Sequence, residues 1–324
     1  MRYLVTGATG FIGRSLVRQL VSAGHDVVAL VRDHRRGLEL GELGVDLVKA
    51  NLLEPDSLRP PMEDADGLFH LAAWYKVGAR DSAAAHRTNV QGTRHVLEAA
   101  GDAGVGRIVY TSSIVVFGDT GGRTVDHTHR HAGPWLSEYE RTKWEAHHEV
   151  ALPMAAAGLP LVIVQPGIVY GPGDQSNVGD VLRDYLRRRL PMIPVQGGCW
   201  AHVDDIARGH LLAMERGRVG ESYVLAGETR MWGEVLRLAH QITGIRPPRL
   251  TLPPVLARLS STLLRPLSAL VSLPQMYHPE TLRIAGGVTY FADDSRSRGE
   301  LRWRPRPLRD GLAETLNAEL AAMA

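Results

Sequence analysis

Residues 3–13 read Tyr3-Leu4-Val5-Thr6-Gly7-Ala8-Thr9-Gly10-Phe11-Ile12-Gly13. A short apolar run enters three glycines spaced GxxGxxG, and a helical pattern leaves them. A turn of this kind lets backbone approach a pyrophosphate, while the free amides and positive dipole end of the next helix face the anion. The spacing alone is a weak signal; its place between a strand and a helix strengthens it. Gly7, Thr9, Gly10, Phe11, Ile12 and Gly13 are therefore candidate nucleotide-binding residues.

The same alternation continues outward. Tyr3–Thr6, Val27–Val31, Leu47–Ala50, Leu68–Ala72, Arg107–Thr111 and Leu161–Gln165 read as short buried strands bounded by turn signals. Helical stretches fall between them near 11–23, 81–103 and 138–157, with Asp81 and Ser137 at the cap positions. Continuous apolar strands alternating with helices predict an α/β fold, a doubly wound parallel sheet covered on both faces. After residue 166 prolines and glycines cluster, a helical stretch covers 177–190, and strand-like pieces appear near 201–203 and 222–226. The expected division is a dinucleotide-binding domain at 1–165, to which strands from about 200–226 return, and a smaller C-terminal substrate lobe at 166–324. That lobe is expected to close over the carboxyl ends of the strands, where such sheets bind ligands. The apolar stretch 251–274, interrupted by Arg258 and Arg265, reads as a lobe helix whose apolar face lines or covers a substrate pocket; a membrane-surface helix is the alternative.

Composition narrows the class. The chain has 324 residues, a formal net charge of +2, 44% hydrophobic residues and a single cysteine, Cys199. One cysteine forms no internal disulfide, so a reducing, cytoplasmic setting is the expectation. No apolar run approaches the ~20 residues that span a bilayer, and glycines interrupt the N-terminal run too early for a signal peptide. The near-neutral charge argues against a nucleic-acid partner. Of 37 basic residues only Lys49, Lys76 and Lys143 are lysines, so a lysine in a meaningful place is informative.

The end of the second strand bears on which dinucleotide binds. An NAD site commonly carries an acid there for the ribose hydroxyls. This strand instead ends Val31-Arg32-Asp33, with Arg35 and Arg36 following. A guanidinium pairs with a 2′-phosphate and stacks on adenine. Arg32 therefore favours NADP, with NAD the alternative through Asp33.

Tyr139 and Lys143 stand four apart at the start of a helical run, hence on one face. Moving a hydride to or from a carbonyl requires proton transfer at its oxygen, and a free tyrosine, with a pKa of ~10, is too weak a base at neutral pH. An ammonium at ~4 Å stabilises the phenolate by ~4 kcal/mol at an effective dielectric near 20. Ser113, at the end of the fifth strand, is placed to hold the same oxygen.

Together with these residues, Thr111-Ser112-Ser113 followed by Phe117-Gly118, Pro166–Gly173, Asn89–Thr93, His202–Ala207 and Glu300–Pro305 make the chain resemble the extended short-chain dehydrogenase/reductase superfamily along nearly its whole length. The resemblance implies a Rossmann fold, with Ser113, Tyr139 and Lys143 as the catalytic triad and Asn89 ordering a water near the lysine. It implies that Asn51 and Leu52 flank the adenine, that Leu71, Ala72 and Ala73 meet the adenosine ribose and diphosphate, and that Pro166, Gly167 and Ile168 meet the nicotinamide side. Ser112, Tyr139 and Lys143 count among the cofactor contacts as well. Val31 and Asn51 depart from the family's pattern, where aspartates are common.

The chain looks most like the dihydroflavonol-reductase-like branch. That likeness implies NADPH-dependent interconversion of a ketone or aldehyde with its alcohol; the alternative is a nucleotide-sugar epimerase or dehydratase. The segment Gln196–His202 has no arginine for a second diphosphate, and Trp74, Tyr75, Trp200 and 251–274 suit a hydrophobic or aromatic small molecule. No metal site is expected: Asp126–His131 reads as a solvated loop, His147-His148 as helix surface, and the arginines of 296–309 as solvated surface. The helices near 88–103 and 138–157 form the usual dimer face of the superfamily, so a homodimer is the implied assembly.

Overall fold

The protein is described from a computed structural model, which covers residues 1–75, 82–271 and 278–323. The expected cap Asp81 and the last residues of the 251–274 stretch lie outside the described residues.

Eleven strands are present among the described residues: β1 Arg2–Thr6, β2 Asp26–Val31, β3 Asp46–Lys49, β4 Gly67–His70, β5 Ile108–Thr111, β6 Leu161–Pro166, β7 Ile168–Tyr170, β8 Val195–His202, β9 Ser222–Leu225, β10 Glu228–Met231 and β11 Gly286–Tyr290. The longer helices are α1 Phe11–Ser22, α2 Gly92–Asp102, α3 Glu138–Glu145, α4 Asn177–Leu186, α5 Val203–Arg216, α6 Trp232–Thr243, α7 Pro254–Leu270, α8 Pro279–Ala285 and α9 Leu308–Met323. The first sheet runs β3-β2-β1-β4-β5-β6-β9 and every pairing in it is parallel. The chain reverses direction across the sheet between β1 and β4, and this switch point is where doubly wound sheets open a ligand crevice.

The alternating inward residues explain why the strands look continuously apolar. Leu4, Val28, Leu68, Ile108 and Ile163 pack with α2 on one face, whereas Val5, Ala29, Phe69, Val109 and Val164 pack with α1 and α5 on the other. Both faces are covered, so neither parity carries polar residues in mid-strand.

The later strands divide. β9 pairs with β6 as Ile163↔Ser222 through Pro166↔Leu225 and so returns to the first sheet. The piece expected near 201–203 does not return. It is the end of the longer β8, which pairs with β7, β10 and β11 in a second sheet. Trp200 shows why: it is 2% exposed, packed edge-on against Trp232 at 4.7 Å, with its indole N–H donating to the Arg230 carbonyl at 3.1 Å. It is a core residue of the lobe and is not available to a substrate.

The tail is also tied down. His202 caps α5, the Ser15 hydroxyl of α1 donates to Asp204 at 2.6 Å, and Arg306 pairs with Asp205 at 2.9 Å. The buried Trp303 donates to the Asp205 carbonyl at 2.7 Å. Arg296, Arg298 and Arg306 thus anchor carboxylates instead of standing free in solvent.

Candidate active site

The glycine turn forms as the spacing predicts. Gly7 has φ of +72°, open to glycine at little strain. A Cβ on Gly13 would stand 2.1 Å from the Gly7 carbonyl oxygen, so only glycine fits where α1 leaves the turn. Gly10, the residue before α1, has no side chain to cap it, and no acid stands in the first turn. The amides of Phe11, Ile12 and Gly13 are first-turn donors without intrahelical acceptors. Thr9 is half-buried beside them. The Leu71 and Ala72 amides donate to the Thr6 carbonyl at 3.1 Å and the Thr6 hydroxyl at 3.3 Å, which lays Leu71, Ala72 and Ala73 along Gly7. The structure therefore brings the two predicted diphosphate segments together, in an electropositive cradle that fits a dinucleotide.

Arg32 is exposed at the end of β2. Asp33 is differently engaged: its carboxylate accepts the Arg35 amide at 3.0 Å and caps the short turn His34–Gly37. The Asn51 side chain is likewise engaged locally, donating to Glu54 at 2.8 Å and accepting the Leu53 amide at 3.2 Å. The Leu52 carbonyl meets His95 at 2.9 Å. Pro166 ends β6, Gly167 donates to the Leu225 carbonyl at 3.0 Å, and Ile168 opens β7 opposite Trp200.

The catalytic candidates converge at the end of β5. Ser137 caps α3 through the Glu140 amide at 3.1 Å, as its position in the sequence predicts, and this fixes Tyr139 and Lys143 on the face toward the sheet. Ser113 faces the Tyr139 phenol and accepts the Val115 amide at 3.3 Å. Burial raises the Tyr139 pKa and the Ser113 hydroxyl lowers it, the rise prevailing. Ser112 is buried next door, its hydroxyl oxygen without a hydrogen-bond partner.

Lys143 is held by β5. Its ammonium donates to the Thr111 carbonyl at 2.7 Å and lies 5.1 Å from the centre of the Tyr110 ring. Burial pushes its pKa down to about 7.

Asn89 is engaged within the fold. It lies in a π-helical segment, Arg87–Gln91, a form of helix frequent at functional sites. Its amide accepts from the Trp74 N–H at 2.7 Å and donates to the Trp74 carbonyl at 2.9 Å and the Thr142 hydroxyl at 3.0 Å. It clamps the 71–75 segment to α3.

Three groups were missed. Tyr110 and the Thr111 carbonyl hold Lys143, yet neither stands out in a β-rich run. Glu140, 1% exposed, is pushed up to about 7 by burial; it accepts the Leu136 amide at 3.2 Å and the Tyr290 hydroxyl at 3.3 Å. Its signal was present in sequence, since Ser137 and Glu140 have capping-box spacing. His147 and His148 are corrected too: His147 is 2% exposed, and burial lowers the two to about 3 and about 4. The polar groups of 126–131 diverge: Asp126 binds Thr128, His127 faces Arg296, and His131 lies 3.7 Å from Glu140.

Beside the start of α3 opens a cleft of about 390 Å³, lined by Trp135, Ser137, Glu138 and Arg141 and, from α7, by Arg265 and Ser268. The apolar face of α7 does not line it. Val255, Leu256, Leu259, Leu263 and Leu267 are exposed.

The model of the NAD-dependent epimerase/dehydratase family matches residues 3–226. The chain belongs to that family. A Synechocystis sp. protein named as a dihydroflavonol 4-reductase is 34% identical, covering 97% of this chain and 93% of its own. The 4-hydroxy-2-methyl-3-oxo-4-farnesyl-3,4-dihydroquinoline-1-oxide ketoreductase of Stigmatella aurantiaca is 33% identical over 94% of this chain and 92% of its own. The crystal structure of gox2253 superimposes with a TM-score of 0.83 and 32% identity, over 99% of this chain and 98% of that one. As a member of the epimerase/dehydratase family the protein is an NAD(P)-dependent enzyme of the short-chain dehydrogenase/reductase type.

Proposed function

We propose that the protein is an NADPH-dependent reductase that interconverts a ketone or aldehyde with its alcohol on a hydrophobic small molecule. The observation that carries this reading is the convergence of Ser113, Tyr139 and Lys143 at the end of β5, beside the glycine cradle. Residues 1–165 would hold the dinucleotide and 166–324 the substrate, with Gly7–Gly13 and Leu71–Ala73 on the diphosphate and Pro166–Ile168 on the nicotinamide side. Bound NADPH supplies the hydride. Ser113 would hold the substrate oxygen, Tyr139 would donate its proton to that oxygen, and Lys143, charged once anionic groups neighbour it, would favour the phenolate left behind.

Arg32 supports the phosphorylated cofactor because it is exposed at the β2 tip, while Asp33 is occupied as a cap. The two reductase-named relatives support carbonyl reduction on apolar molecules. A cytoplasmic homodimer pairing through α2 and α3 belongs to the same reading.

Titration with NADPH and NADH, followed by a panel of apolar ketones and aldehydes, tests it. Wild type should bind NADPH more tightly, and Arg32→Ala should weaken NADPH about tenfold, as loss of a charged hydrogen bond does, leaving NADH unchanged. Tighter NADH binding overturns the cofactor assignment. Inversion of a sugar nucleotide with no net cofactor consumption overturns the reductase.

A further inference from the structure

Helix α7 is built inside out. At about 100° per residue, Val255, Leu256, Leu259, Leu263 and Leu267 fall within an arc of about 120°, and all five are exposed, Leu263 by 74%. The side turned toward α8 and β11 carries mostly small or polar residues, with Ala257 and Ser261 buried and Leu264 half-buried among them. Surface helices of soluble proteins show the reverse arrangement. Leu250, before the helix, and Val271, at its end, are 63% and 52% exposed as well. A contiguous patch of this kind marks an interaction surface.

Charge indicates what covers it. From Arg246 to Arg283 the chain carries five arginines, no lysine or aspartate, and the single acid Glu280. Arg258 and Arg265, both exposed, lie one beside the other along one border of the apolar arc. An isologous contact with a second copy would set these arginines against their own counterparts. An anionic lipid surface would instead accept the leucines among its acyl chains and the guanidinium groups among its headgroups. No helix of the described residues is long and apolar enough to cross a membrane, and the two arginines within α7 suit a helix lying along the interface. Arg265 also lines the cleft that reaches the start of α3.

We propose that the exposed face of α7 docks the protein on anionic phospholipid bilayers. The test needs no turnover and so stands or falls apart from the reductase reading. The full chain is sedimented with vesicles of phosphatidylcholine alone and of phosphatidylcholine mixed with phosphatidylglycerol. Wild type should pellet with the mixed vesicles and much less with the neutral ones. Leu259→Gln and Leu263→Gln should each lower partitioning about tenfold. Arg258→Gln and Arg265→Gln should each lower it roughly fivefold, on anionic vesicles only. These side chains are exposed, so melting temperatures should hold; Leu263→Gln alone is the mildest variant and is read first. Wild type remaining in the supernatant with both vesicles overturns the proposal, and so does a leucine variant that binds like wild type. A wild-type dimer in lipid-free ultracentrifugation that Leu263→Gln converts to monomer assigns the face to a second copy and overturns it as well.

Discussion

The Lys143 ammonium donates to the Thr111 carbonyl at 2.7 Å, two residues before Ser113. The lysine and the serine are thus fixed by one strand end, and Tyr139 reaches that end from α3. Because the lysine is buried and has no carboxylate partner there, its charge is disfavoured in the folded chain.

The sign of the pH effect follows from a folded pKa of about 7 against the ordinary 10.5. Below pH 7 both states hold the proton, and the folded state bears the full burial penalty. Between 7 and 10.5 the unfolded chain holds more protons, so stability rises with pH. Lys143→Met removes this term. In the cofactor-free chain the difference in unfolding free energy, variant minus wild type, should be largest below pH 7 and shrink toward pH 10, by a few kcal/mol at ~1.4 kcal/mol per pKa unit, as denaturant unfolding across this range measures. A difference independent of pH would refute the burial argument.

Glu140 works in the opposite direction. Its folded pKa is about 7 against 4.5, so between those values the folded chain keeps a proton that the unfolded chain has lost. Stability then falls as pH rises through this window. Glu140→Gln keeps an acceptor for the Leu136 amide and removes the ionisation. Relative to wild type the variant should gain stability from pH 4.5 to 7 and hold the gain above it, by up to a few kcal/mol. Thermal melts at pH 5 and pH 8 check it.

Tyr139→Phe leaves the ring and removes the proton. Under the proposed reading kcat should drop 10²–10⁴-fold, the usual contribution of a positioned acid. NADPH affinity should change far less than kcat, because the proposed diphosphate contacts come from Gly7–Gly13 and Leu71–Ala73. Steady-state kinetics with the best carbonyl of the panel measures this, and retention of most activity would remove Tyr139 from the proton-transfer role.

The sheet was legible from residues 3–13 and the spacing of apolar strands, because burial on both faces leaves a parallel strand few polar residues, mostly at its ends as with Thr6, His70 and Gln165, to confuse the pattern. The Ser137 cap and the Tyr139–Lys143 pair were legible for a similar reason: both are local, set by helical spacing. Long-range partners were not. Trp200 reads as a substrate contact until Trp232 is seen packed on it, and His147-His148 reads as surface until the π-helical turn at 146–151 carries His147 inward. The direction of the α7 leucines was opaque too, since periodicity reveals an apolar face without revealing what lies opposite.

Asn89 separates two accounts of one residue. If it served only to order a water, Asn89→Ala would leave the fold nearly untouched. The structure gives its amide three hydrogen bonds, two to the Trp74 backbone and one to Thr142. Removing it leaves the half-buried Trp74 N–H and carbonyl without their Asn89 partners and takes one donor from the buried Thr142 hydroxyl, which still donates to the Glu138 carbonyl at 2.8 Å, each unpaired peptide group costing about 1 kcal/mol or more. Asn89→Ala should therefore lower stability by about 2–3 kcal/mol. Because Leu71–Ala73 rests on Gly7 and runs directly into Trp74, the variant should also weaken NADPH binding. Denaturant unfolding and cofactor titration on the same preparation decide it: an unchanged unfolding midpoint with reduced kcat would favour the water.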